Sequence, residues 1–74
     1  MLKNRIKDLR EDADKSQQEI AAAIGITQRK YSYLETGVQQ WPDELLVKLA
    51  AYYQTSVDYL LGLTDEQRPY PRRT

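Results

Sequence analysis

Seventy-four residues, 41% of them apolar and 30% charged, suffice for a single domain with one small core, since independent domains need roughly 50 residues or more. Cysteine and histidine are both absent, which removes disulfides, thiolate metal sites and the commonest general base, so no metal centre, no cofactor and no enzyme active site is expected. Eleven basic and eleven acidic side chains cancel, so a polyanionic partner would have to be met by a local arrangement of charge.

The chain opens on Met1-Leu2-Lys3-Asn4-Arg5 and continues charged, without the apolar run of a signal peptide. No stretch approaches the roughly 20 apolar residues of a membrane span, and a cytoplasmic protein without a membrane partner is expected. Residues 1–40 carry seven basic and six acidic side chains, residues 41–60 one and three, and residues 61–74 three and two. The first 40 residues are thus the better place to look for an anion-binding face.

Leu2, Ile6 and Leu9 recur at steps of four and three, the spacing of an amphipathic helix that ends near Ala13-Asp14. Ser16 followed by Glu19 has capping-box spacing, which predicts a second helix from Gln17 with Ile20, Ala21 and Ile24 on one face. Gly25 can adopt the left-handed conformation that ends it. Only Ile26 then precedes Thr27, a good N-cap, so a third helix is predicted to start at once and to run to Glu35-Thr36, before Gly37. After the loop Val38-Gln39-Gln40-Trp41, Pro42 or Asp43 opens a fourth helix carrying Leu45, Leu46, Leu49, Ala50 and Tyr53, closed by Thr55. Ser56 and Asp58 open a fifth, Tyr59-Leu60-Leu61, stopped by Gly62. Nothing alternates like a strand, so the fold class is all-α. Beyond Thr64, Pro69 and Pro71 prevent a continuous helix, and residues 67–74 read as a flexible tail, the alternative being docking through Tyr70.

On a helical wheel of about 100° per residue with Thr27 at the origin, Tyr31 and Leu34 fall on one side and Gln28, Arg29, Ser32 and Tyr33 on the other. The second set can reach base edges: Gln pairs with adenine N6 and N7, Arg with guanine O6 and N7, and hydroxyls with bases or phosphates. An ordinary solvated face would look similar. Arg29 and Lys30 also sit in the first turn, where the helix dipole favours acidic side chains. A bound phosphate or guanine edge would reverse that penalty, while good helix propensity is the competing explanation.

Ser16-Gln17-Gln18-Glu19-Ile20-Ala21, the turn Gly25-Ile26-Thr27 and Leu34-Glu35-Thr36-Gly37, in this joint spacing, resemble the lambda-repressor-like, Cro-type (XRE) helix-turn-helix family. Leu46-Val47-Lys48-Leu49-Ala50 and Ser56-Val57-Asp58-Tyr59-Leu60-Leu61-Gly62 resemble its closing helices, so the likeness covers about residues 3–62. It implies a five-helix DNA-binding domain over residues 1–66 that binds double-stranded DNA operators as a homodimer, with the third helix in the major groove. By the same resemblance Gln28, Arg29, Ser32 and Tyr33 would contact bases, and Ser16, Gln17, Thr27 and Lys30 the DNA backbone. Arg10 and Glu35 would form an internal ion pair, in preference to a phosphate contact by Arg10. Two departures stand out: the loop 38–41 has no charge where such proteins are often basic, and Trp41 occupies the place where a proline is expected, with Pro42 one residue later. Trp41 is expected to cap the core or to pack at a dimer contact, and Tyr52, Tyr53 and Tyr59 to serve core or interface.

The function implied is a sequence-specific transcriptional regulator, most simply a repressor at a palindromic operator, with no small-molecule ligand. The alternative is a protein-interaction module of the same fold, an antitoxin or anti-regulator, which the neutral charge and uncharged loop favour and Gln28-Arg29 opposes. Asp12 with Asp14, and Asp43 with Glu44, read as caps and solvated charge rather than as catalytic pairs.

Overall fold

Ser16, Thr27 and Ser56 each adopt extended backbone angles, and each side-chain oxygen accepts a hydrogen bond from the N–H three residues on. These local bonds satisfy donors that a helix start leaves unpaired, and so decide where three helices begin. The computed structural model describes residues 4–68. Its helices are α1 (Ile6–Asp12), α2 (Gln17–Ile24), α3 (Gln28–Thr36), α4 (Asp43–Tyr52) and α5 (Val57–Leu60), with no strand among the described residues. The domain is all-helical, as the spacing predicts. At α2 the capping box is complete, because the Ser16 N–H also donates to Glu19 Oε1 at 3.1 Å.

Gly25 (φ 80°) and Gly37 (φ 87°) end α2 and α3 in the left-handed region, where a side chain would be strained. Ile26 donates its N–H back to the Ala21 carbonyl at 2.9 Å, so α2 and α3 meet across a three-residue turn. Two further reversals use Asp14 (φ 57°) and Gln54 (φ 55°), which the sequence does not mark with glycine. At the second of these α4 stops at Tyr52 rather than running to Thr55. Thr55 is instead buried, its N–H on the Ala50 carbonyl and its hydroxyl donating to the Gln67 carbonyl.

Ile6 from α1, Ile20, Ala21 and Ile24 from α2, Tyr31 from α3, Leu46, Leu49 and Ala50 from α4 and Leu60 from α5 form one core. Half-buried Leu9, Ile26, Trp41, Tyr53, Val57 and Leu61 close around it. Each large apolar side chain contributes roughly 1.5 to 3 kcal/mol by leaving water. α2 packs on α3 and α4, and α4 on α5. The start of α1 meets α5 and the segment after it where the Arg5 N–H donates to the Leu60 carbonyl at 2.8 Å, and the Arg5 guanidinium lies 4.4 Å above the Tyr59 ring and 2.7 Å from Asp65. Of the expected flexible tail 67–74, Gln67 takes the Thr55 bond and Arg68 pairs with Glu66. The rest of that segment, Tyr70 included, lies outside the described residues, as does Leu2.

Trp41 caps the core by meeting Tyr31 edge to face at 5.7 Å. Three buried polar atoms, the Tyr31 and Tyr53 hydroxyls and the Trp41 indole nitrogen, have no hydrogen-bond partner among the described residues. Burial pushes the Tyr53 hydroxyl up to about 12. An unsatisfied buried hydroxyl costs about 1 to 3 kcal/mol, whereas an apolar isostere carries no such penalty. Tyr53→Phe should therefore match or exceed the wild type in urea midpoint. A loss above about 1 kcal/mol would show that the hydroxyl holds a partner, such as a buried water.

Candidate nucleic-acid interface

Nine residues of α3 divide as the wheel predicts. Tyr31 and Leu34 are 0% and 2% exposed, while Gln28, Arg29 and Lys30 stand in solvent and Ser32 and Tyr33 are half-buried. Thr27 Oγ1 accepts from the Lys30 N–H at 3.1 Å, which occupies its acceptor side and leaves the hydroxyl proton available. Ser16 stands likewise at the start of α2, with its oxygen on the Glu19 N–H. The first turn of α3 holds no acidic residue, and no ion pair among the described residues engages Arg29 or Lys30. Two cations therefore reinforce the positive end of the helix dipole, an arrangement that costs energy without an anion and favours one when it arrives.

Among the described residues Arg29 is held on one side only. Its Nε donates to the Tyr33 hydroxyl at 3.1 Å, with the guanidinium carbon 5.7 Å from the ring centre. Arg29, Tyr33, Thr27, Lys30 and Gln39 line an open cleft of about 290 Å³ on the outer side of α3. Gln39 also donates its backbone N–H to the Tyr33 carbonyl at 3.1 Å, which ties the following loop to the helix end. A second cleft, about 350 Å³ between α1 and α5, is lined by Asp8, Asp12, Leu9, Tyr59 and an Arg5 already paired with Asp65, and has no charge to spare for a polyanion.

Behind this surface α3 is tied to α1. Arg10 Nε and Nη2 reach Glu35 Oε2 and Oε1, each at 2.9 Å, in a two-pronged pair whose side chains are 14% and 3% exposed. The third nitrogen, Nη1, donates to the Lys15 carbonyl at 2.9 Å. Burial of Glu35 works against its charge, but bonds from Arg10 and Gln17 and the adjacent Tyr31 phenol outweigh it and hold the carboxyl below its ordinary range. Burial, with Glu35 beside it, raises the Tyr31 hydroxyl in turn.

Residues 6–60, spanning all five helices, match the family described as helix-turn-helix. The chain belongs to the XRE-type helix-turn-helix family. It is 38% identical over 69 residues, 93% of its length, to the uncharacterized HTH-type transcriptional regulator YobD of Bacillus subtilis (strain 168). It is 34% identical over 62 residues, 84% of its length, to the cryptic phage CTXphi transcriptional repressor RstR of Vibrio cholerae. The matched stretches span 62% and 56% of those relatives.

Against this helix-turn-helix background, Gln28, Arg29, Ser32, Tyr33, Thr27 and Lys30 come together on α3 and its cap, with Ser16 and Gln17 at the neighbouring start of α2. Gln17 is the exception in detail: its amide nitrogen donates to Glu35 Oε1 at 3.2 Å, joining α2 to the Arg10–Glu35 pair. One amide hydrogen and the carbonyl oxygen are left for anything outside. Gln39 is the cleft residue that sequence reasoning misses. It lies in a loop without charge, and only the fold of the loop back on α3 brings it beside Arg29 and Lys30.

Proposed function

We propose that this chain is a sequence-specific, DNA-binding transcriptional regulator, a repressor that binds a palindromic operator as a homodimer with α3 in the major groove. The observation that carries the reading is the pairing of faces on α3. One face is locked inward by Tyr31, Leu34 and the Arg10–Glu35 pair, while the other offers Gln28 and Arg29 to base edges with no carboxylate among the described residues paired to Arg29. In this reading Gln28, Arg29, Ser32 and Tyr33 face bases, and Ser16, Gln17, Thr27 and Lys30 meet the DNA backbone. Gln17 would use its remaining amide hydrogen, and Thr27 and Ser16 the hydroxyl protons that capping leaves free. The RstR repressor among the relatives supports the sign of regulation. The dimer would form through α5 and the residues preceding it, so that two copies of α3 fall one DNA turn, roughly 34 Å, apart. Such a protein acts in the cytoplasm and needs no cofactor.

A protein-interaction module of the same fold is the second reading, favoured by the zero net charge and the uncharged loop 38–41. Selection of bound duplexes from a random pool, followed by salt titration on the winner, separates the two. A repressor should yield a palindrome, two chains per duplex by sedimentation, and a log–log salt slope of about −0.9 per phosphate contact. A flat slope and no enriched sequence would favour the protein partner, and one chain per duplex at saturation would refute the dimer.

A further inference from the structure

Arg29 and Tyr33 are one turn apart on the exposed side of α3, in the i, i+4 relation that brings side chains together. Their contact is specific in its atoms: the guanidinium gives its Nε–H to the phenol oxygen at 3.1 Å and leans over the ring edge, 5.7 Å from the centre. Tyr33 is half-buried, and its own carbonyl is held by the Gln39 N–H, so it is the less mobile member of the pair. Arg29 is exposed and meets no carboxylate among the described residues.

From this geometry we infer that Tyr33 is a positioning residue for Arg29, its hydroxyl fixing the guanidinium so that the two Nη groups form the fork that meets a guanine. The inference rests on the reading of α3 as the DNA-facing helix and assigns Tyr33 a different task within it. A guanidinium has five N–H donors. With Nε–H on the phenol, the two-pronged contact to guanine O6 and N7 must come end-on from Nη1 and Nη2, not side-on through Nε. The tether removes part of the rotamer freedom that a long exposed side chain otherwise loses on binding. A phenol suits this task because it accepts a hydrogen bond without a charge, so the full positive charge of Arg29 is left for the DNA.

Two measurements test it. In the free protein, nitrogen-15 NMR should show the Arg29 Nε–H exchanging more slowly with water in the wild type than in Tyr33→Phe, which keeps the ring and lacks the acceptor. On the selected operator, Tyr33→Phe should reduce discrimination at the base pair read by Arg29 by about three- to tenfold, with the salt slope of the wild type. In an Arg29→Ala background the same change should have no further effect on that discrimination. Equal Nε–H exchange in the two proteins overturns the tether whatever the DNA result. A salt slope lower by about one unit, or lost preference at another base pair, would put the phenol itself on phosphate or base and overturn the positioning role. A wild type with no sequence preference, despite a slow Nε–H, would remove the reading of α3 and the guanine fork with it.

Discussion

Glu35→Ala should melt at least about 12 °C below the wild type. Removing one partner from a buried ion pair costs about 3 to 5 kcal/mol, because the other charge is left without compensation. A domain of this size shifts roughly 4 to 8 °C per kcal/mol. Glu35 is 3% exposed and takes bonds from both Arg10 and Gln17, so its loss would strand a guanidinium that is 14% exposed and would free the α2 start as well. Total stability for 74 residues is only about 4 to 11 kcal/mol, so the loss is a large fraction. The pair also fixes a pH dependence. The Glu35 carboxyl is held below its ordinary range, so the stability it supplies is complete above the unfolded value near 4.3 and is lost as pH falls toward the lower folded value. Glu35→Gln should lose this component of acid sensitivity while keeping part of the hydrogen bonding. Thermal melts of the three proteins between pH 7 and pH 3 provide the check. A midpoint for Glu35→Ala within error of the wild type would mean that the pair does not hold α3 to α1.

Arg29→Ala should flatten preference at one position of each half-site, a guanine, by about 1 to 3 kcal/mol of discrimination. Lys30→Ala should act differently, weakening all duplexes alike and lowering the salt slope by about one unit. The distinction follows from placement. Arg29 shares the polar face with Gln28, Ser32 and Tyr33, whereas Lys30 borders the cleft beside the Thr27 cap, where a backbone phosphate would meet the helix start. Profiling each variant against all single-base changes of the selected operator gives the answer. Uniformly reduced affinity in Arg29→Ala, with the wild-type order of preference intact, would exchange reader for phosphate clamp.

The helix starts at Ser16, Thr27 and Ser56 and the reversals at Gly25 and Gly37 were legible in the sequence alone, because each is set by bonds or backbone freedom within about four residues. The inward turn of Tyr31 and Leu34 was legible for a related reason, since helical periodicity converts spacing directly into direction. The left-handed turns at Asp14 and Gln54 were not, for neither residue type demands that conformation. Gln54 adopts it where the chain must turn from α4 to bury Thr55. Side-chain partners across elements also escaped local reasoning. Arg10 and Glu35 lie 25 positions apart and are suggested only by family resemblance, while Gln17 bonding Glu35 and Gln39 entering the cleft are not anticipated. Each of these polar side chains has several donors or acceptors and several reachable rotamers. Which partner it meets depends on where α1, the α2 start and the α3–α4 loop come to rest around the shared core, and that is settled by packing between elements rather than by residue type.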